Sequence, residues 1–437
     1  MRWIFLGMVW IAAEVGGYYG MRRLGLWRRW MGWSSLFVFG FSIALYGINI
    51  FSQSRGWLSH EMYLFFQRVG GILFLIWISL VLGKLMGGIV GLVLGKAVSS
   101  SGRDVKGDQG SLSCSMGEEG GRKRELTLSR RAFLQAFGGM WAATPLIGFG
   151  YGFWIGRYRF KLHEVVISLP DLPKGWEGLR LVQFSDLHAG SFPSGSPLSS
   201  VWEQIEQLKP DVLIFTGDWV NVYGWELEPH VADLARLTAP WGKWAVLGNH
   251  DYGDYARWPS EAEKRADHLW LRELIRTAGF TLLEDSVKLL DHSGEKLALI
   301  GVGNWSRWRR TQRYGSLEKA WAQVPPHVCS ILLSHDPTHW EAQVRGQYPV
   351  SLTLSGHTHG LQVGVEWASW RFSPAAWLYD HWAGLYQEAD QALYVNRGLG
   401  YIGLPARLGI WPEITLIHLT RMRKTVFSTS TYPSRAT

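Results

Sequence analysis

Cysteine is almost missing from this sequence: Cys114 and Cys329 are the only two in 437 residues. One falls in a hydrophilic stretch, the other in a strand-like run, and neither has a partner at metal-ligand spacing. No disulfide framework is possible, so a folded domain outside the cytosol would have to be stable without cross-links. Long apolar runs are missing after about residue 156. There the apolar residues come in short, strand-sized groups, which reads as a soluble domain large enough to bury its own core. A nucleic-acid surface is missing too, although the net charge is +8. Arg22, Arg23, Arg28, Arg29, Arg122, Lys123, Arg124, Arg130 and Arg131 sit between apolar runs, where positive charge carries topology information. No nucleic-acid partner is expected.

What is present before residue 156 is apolar and aromatic. The chain is 47% hydrophobic with 26 Trp, which excludes a disordered polymer. Residues 1–98 hold three candidate membrane spans, near 3–20, 33–51 and 69–95. A fourth lies within 132–156, near 132–154. Each supplies close to the roughly 20 residues a bilayer requires. Glu14 and Lys84 interrupt the first and third. Such charges can mark function, or Lys84 can snorkel and Glu14 can lie near an interface. Gly83, Gly87, Gly91 and Gly95 form a stripe suited to close helix packing.

The Arg-rich turn at 21–31 and the basic stretch at 99–131 are expected in the cytoplasm, two spans apart. The fourth span then carries the chain outward, and a folded domain at 157–422 would lie on the extracytoplasmic side of a multi-pass membrane protein, with 423–437 as a tail. The 99–131 stretch is rich in Ser, Gly and charge and reads as a flexible linker. It ends in Ser129-Arg130-Arg131-Ala132-Phe133-Leu134-Gln135, which resembles a twin-arginine export signal. The alternative is that Arg130 and Arg131 only anchor the fourth span.

From about residue 161 a strand–loop–helix pattern repeats, as expected of an α/β domain. Residues 179–184 lead into Ser185-Asp186-Leu187-His188. Residues 212–215 lead into Thr216-Gly217-Asp218, and 244–247 into Gly248-Asn249-His250-Asp251. Residues 331–333 lead into Ser334-His335-Asp336, and 352–354 into Ser355-Gly356-His357-Thr358-His359-Gly360. Five strand-like runs thus each end in groups that can bind metal, at the sheet edge where ligands bind in such folds. A single Asp or His of this kind is ordinarily a satisfied core or loop residue; five in this order are not. His357 and His359 alternate with Thr358, so an extended segment points both the same way. Gly356 and Gly360 allow the close approach such a site requires.

This series resembles the calcineurin-like metallophosphoesterase superfamily over about residues 161–420. The tail Asn396-Arg397-Gly398-Leu399-Gly400, with Pro405, Arg407 and Pro412-Glu413-Ile414, resembles its membrane-anchored bacterial phosphodiesterase branch. The resemblance implies a four-layer α/β sandwich with two central sheets. It implies two divalent metals, manganese, iron or zinc by ligand chemistry. One would be held by Asp186, His188, Asp218 and His359, the other by Asp218, Asn249, His335 and His357, with Asp218 bridging. Two such cations generate a hydroxide that attacks phosphorus in line. His250 would stabilise the transition state or protonate the leaving oxygen, and Asp251 would orient His250. The pattern departs from the commonest one at two positions. Asn221 stands where many relatives have Asp, weakening expected support for His250. Leu361 stands where a second Gly is common, reshaping the rim.

The expected activity is hydrolysis of a phosphate ester, more readily a diester, on a phospholipid or envelope phosphoester at the membrane. A phosphomonoesterase of soluble substrates is the first rival. A non-catalytic module with a relic site is the second, and the complete ligand set argues against it. A third gives the membrane helices a transport or sensing role, on the thin support of Glu14 and Lys84. Arg307, Arg309 and Arg310 interleave with Trp305 and Trp308, either as a headgroup surface or as a solvated loop. Trp367, Trp370, Trp377 and Trp382 suit a membrane interface or ordinary packing.

Overall fold

The computed structural model describes residues 111–114, 126–129, 147–192, 197–308, 311–367, 370–421 and 427–430. The first three expected spans, Glu14, Lys84, the glycine stripe, Arg130 and Arg131 lie outside these residues, as does most of the fourth span. Residues 147–154, its end, are helical. Among the described residues no helix is long and apolar enough to cross a membrane. The chain divides into two units, Met1–Tyr151 and Gly152–Thr437. In the first, β1 (Ser111–Cys114) pairs antiparallel with β2 (Leu126–Ser129), inside the stretch expected to be a linker.

Two mixed sheets build the second unit. The first runs in the order β17 (Phe427–Ser430), β3 (Lys161–Ser168), β16 (Glu413–Thr420), β4 (Arg180–Phe184), β5 (Val212–Phe215), β6 (Lys243–Ala245), β7 (Thr281–Leu282). The second runs β14 (Gly384–Glu388), β15 (Gln391–Val395), β11 (Leu352–Ser355), β10 (Cys329–Leu333), β9 (Glu295–Gly301), β8 (Ser286–His292). A separate hairpin joins β12 (Val365–Trp367) to β13 (Trp370–Phe372). Strands β4 to β7 are mutually parallel, and so are β9, β10, β11 and β15. β17 pairs antiparallel with β3, beyond the boundary drawn at 422.

The sequence of each central strand explains its place. β5 and β10 are apolar or small at every position and buried on both faces, as parallel strands must be. Their alternate residues feed different cores. Leu213 and Phe215 face a cluster with Trp202, Leu234 and Leu271; Val212 and Ile214 face one with Leu299, Ile331 and Leu354. The first cluster is roofed by α1 (Ser199–Leu208), α2 (Val231–Arg236) and α3 (Glu261–Thr277). The second lies between the sheets. A third sets Ile300, Leu332 and Leu393 under α4 (Leu317–Trp321) and Trp340. The layers therefore run helices, sheet, sheet, helices. α3 starts where Ser260 caps it by accepting from the Glu263 amide at 3.2 Å. It buries only Leu271, Leu274 and Ile275, one stripe of the helix.

Candidate metal centre

The loops that leave β4, β5, β6, β10 and β11 converge. Asp186 and His188 follow β4, Asp218 follows β5, Asn249 follows β6, His335 follows β10, and His357 and His359 follow β11. Their donors form two groups, Asp186–His188–His359 and Asp218–His335–His357, the atoms within each lying inside 4.8 Å of one another. In the first, His188 Nε2 is 3.1 Å from His359 Nε2, which is 3.2 Å from Asp186 Oδ1. In the second, His335 Nε2 is 3.1 Å from Asp218 Oδ2 and 3.2 Å from His357 Nδ1.

Asp218 Oδ2 also stands 3.6 Å from His188 Nε2, so one oxygen faces both groups. Its companion Oδ1 is engaged elsewhere, accepting from the His250 amide at 2.9 Å. Asn249 donates its amide N–H to Tyr255 Oη at 2.8 Å, while its buried Oδ1 has no hydrogen-bond partner among the described residues. Crowded imidazole and carboxylate lone pairs, with an orphaned amide oxygen beside them, fit two divalent cations. Without thiolate, the set suits manganese, iron or zinc.

The surroundings fix which imidazole atoms point inward. His335 Nδ1–H donates to the Thr216 carbonyl at 2.7 Å, freeing Nε2. His357 turns Nε2 outward, to Tyr379 Oη at 3.1 Å, with Asp336 Oδ2 at 3.6 Å, and its Nδ1 inward. Nothing in the sequence singles out Tyr379. Asp186 accepts the His357 amide at 3.0 Å on either oxygen. Burial opposes the charge on His335, but the Asp218 carboxylate outweighs it and lifts the imidazole to about 10. A cation entering here displaces a proton, so affinity rises with pH.

His250 donates Nδ1–H to the carbonyl oxygen of Asn221 at 2.7 Å. Its support is main chain, a hydrogen bond that Asn in place of Asp at 221 leaves in place. Its ring stacks on Tyr255 at 4.4 Å and meets the His188 ring edge-on at 4.9 Å. Asp251 is engaged by main-chain amides. Its carboxylate accepts the amides of Asp218 (2.9 Å), Trp219 (2.8 Å), Val220 (3.3 Å) and Gly248 (2.8 Å) and has no hydrogen bond to His250. It ties the Asp218 and Asn249 loops together. Burial first, and Asp218 second, push it up to about 8, against the pull of those amides.

Two glycines are required by space. A Cβ on Gly248 would lie 2.2 Å from Asp218 Oδ1, and one on Gly356 2.2 Å from Asp186 Oδ2. Asp186, His188, Asp218, His357 and His359 all hold positive φ, between 45° and 71°.

The tail motif lies beneath the first group. The fully buried Arg407 reaches the His359 ring, Nη2 to Nδ1 at 3.1 Å, and donates to the carbonyls of Arg397 (2.8 Å) and Gly398 (3.1 Å). Arg397 pairs with Glu413 and Glu366. The aromatic segments divide. Trp305 and Trp382 are buried, and Arg307 is paired with Glu341 at 2.7 Å. Trp367, Trp370 and Trp377 are exposed. Arg309 and Arg310 lie outside the described residues.

Residues 179–361 match the calcineurin-like phosphoesterase family. The chain is 32% identical over 299 residues to an uncharacterized metallophosphoesterase, YkuE, of Bacillus subtilis, covering 67% of this chain and 98% of that protein. It is 29% identical to the UDP-2,3-diacylglucosamine pyrophosphatase LpxG of Chlamydia trachomatis, covering 56% and 86%. It is 31% identical to a transmembrane protein with metallophosphoesterase domain of Danio rerio, covering 59% and 57%. With this ligand set and these relatives, the chain belongs to the calcineurin-like metallophosphoesterases, hydrolases of phosphoric ester bonds that use a dinuclear metal centre.

Proposed function

We propose that this is a membrane-anchored phosphodiesterase, its catalytic unit outside the cytosol, hydrolysing a phospholipid or another lipid-linked envelope phosphoester. The observation that carries the hydrolytic part is Asp218 Oδ2, a single oxygen facing both groups of donors. Asp186, His188, His359 and Asp218 would hold one cation; Asp218, Asn249, His335 and His357 would hold the other. Such a pair polarises a phosphoryl oxygen and lowers the pKa of water. His250, its Nδ1–H spent on Asn221, presents Nε2 to carry the proton given to the leaving oxygen.

The membrane part rests on the apolar segments before residue 156 and the Arg-rich loops between them, on the exposed tryptophans of 367–377, and on relatives named as a transmembrane protein and as an enzyme of a diacylated sugar nucleotide.

The test uses the full chain in detergent micelles with manganese, zinc or iron supplied in turn. Asp218→Asn is expected to lose both metals and activity. His250→Ala is expected to keep its metals and lose kcat by roughly 10²–10⁴. A fully active Asp218→Asn enzyme sinks the two-metal reading.

A further inference from the structure

Asn304 is only 1% exposed, yet neither end of its side-chain amide has a hydrogen-bond partner among the described residues. Its backbone is engaged: the amide donates to Tyr252 Oη at 3.2 Å and the carbonyl accepts from Tyr314 at 2.8 Å. A buried amide unpartnered at both ends is rare and calls for a partner. Asn304 follows β9, which runs parallel to β10, so it stands at the same sheet edge as His335. It lines a cavity of about 440 Å³ together with Asn249, Tyr255, Lys264, Gln312 and Tyr314.

Tyr255 ties that cavity to the chemistry. Its hydroxyl accepts from Asn249 and its ring stacks on His250, the group placed to protonate the leaving oxygen. The cavity is therefore on the leaving-group side. Its walls carry little net charge. Lys264 Nζ is bound to Asp254 Oδ1 at 2.6 Å, and Tyr314 Oη donates to the same carboxylate at 2.8 Å. A second phosphate would meet Asp254, and a cationic headgroup would compete with Lys264. What remains unpartnered is the Asn304 amide, one donor edge beside one acceptor edge, with Gln312 also lining the cavity.

Building on the phosphoesterase reading, we infer that this cavity binds an uncharged polyhydroxyl leaving group, such as glycerol or a sugar, with Asn304 hydrogen-bonded to two neighbouring hydroxyls.

The full-length protein with manganese is given three diesters. Bis(4-nitrophenyl) phosphate has a leaving group without hydroxyls, glycerophosphoglycerol has a soluble glycerol, and phosphatidylglycerol in mixed micelles has a lipid-borne one. Asn304→Ala is expected to lower kcat/KM for both glycerol esters about tenfold more than for the nitrophenyl ester, mainly through KM. Gln312→Ala, at an exposed position, is expected to shift the same ratio in the same direction by less. A larger shift on phosphatidylglycerol than on glycerophosphoglycerol assigns the glycerol to a lipid. Equal losses on all three esters, or an unchanged ratio in both variants, overturn the inference and make Asn304 a water-filled or structural amide. If the wild type turns over the nitrophenyl ester but the ratio does not move, the cavity assignment alone falls. If it turns over none of the three, the phosphoesterase reading falls first.

Discussion

Asp186, His188, Asp218, His357 and His359 adopt a backbone conformation that costs an ordinary residue about 1–2 kcal/mol. Asp and His tolerate it better than most, and here it turns each side chain back toward the shared centre. The glycines beside them yield the space. Gly356 has no positive φ, so alanine fits the backbone there, but its methyl would press on Ser185 Oγ and Asp186 Oδ2. Gly356→Ala is therefore expected to fold, lose metal from the first group and drop kcat more than about tenfold; metal stoichiometry beside kcat checks it. Asp251→Ala leaves its amides without an acceptor and is expected to cost about 3 kcal/mol of stability, with metal affinity lost alongside. A loss of kcat alone would instead return Asp251 to the role of orienting His250. The residue types of the two donor groups and their spacing were legible in the residues themselves. Tyr379, Asn304 and the main-chain support of His250 were not, because each depends on a partner distant in sequence or on a backbone atom.

Strands β4, β5, β10 and β11 could be read from their mainly apolar runs, because burial on both faces admits few polar residues, Gln183 and Thr353 among them. The β12–β13 hairpin could not, because its residues mix tryptophan with charge and its pairing closes only two short strands. It carries Trp367, 80% exposed, and Trp370, with Trp377 at 77% nearby in sequence. Gly364, which enters it, donates to the Leu408 carbonyl at 2.8 Å, and the adjacent Arg407 amide donates to Gly152 at 3.2 Å. The hairpin and the end of the apolar 132–154 stretch, with Trp154 exposed, are thus held by neighbouring residues of one segment. Replacing Trp367 and Trp370 by Ser is expected to reduce turnover of a lipid ester in micelles about tenfold more than that of a soluble ester. Equal turnover would remove the hairpin from any membrane role. At the start of β16, burial works against ionisation of Glu413, yet the Arg397 guanidinium outweighs it and holds the carboxyl at about 2. A carboxyl depressed in the folded state adds stability that is complete above about pH 4.5 and is lost as pH falls toward 2. Glu413→Gln should therefore flatten the acid limb of the stability curve. It should also cost about 3–5 kcal/mol at neutral pH, because Arg397 loses a buried partner; urea unfolding across pH measures both.

At the scale of the molecule, the direction of the chain is a prediction from its loops. A reporter fused near residue 110 is expected to report cytoplasm, and one near residue 160 the outside. The opposite result at 160 overturns the extracytoplasmic placement and the export reading together. The metal groups have a further property visible only at this scale. Asp186, His188, Asp218 and Asn249 come from one sheet, and His335, His357 and His359 from the other, so each cation would bind both sheets. At a free-ion level of a hundred times Kd, such binding adds about 2.7 kcal/mol, or roughly 5–10 °C in Tm, and chelation should remove it. Nutritional scarcity of the ion would then act on abundance as well as on rate. Starved chains would open more often and be cleared by proteases, and a mutant without His250, however slow, would persist as long as the ion did.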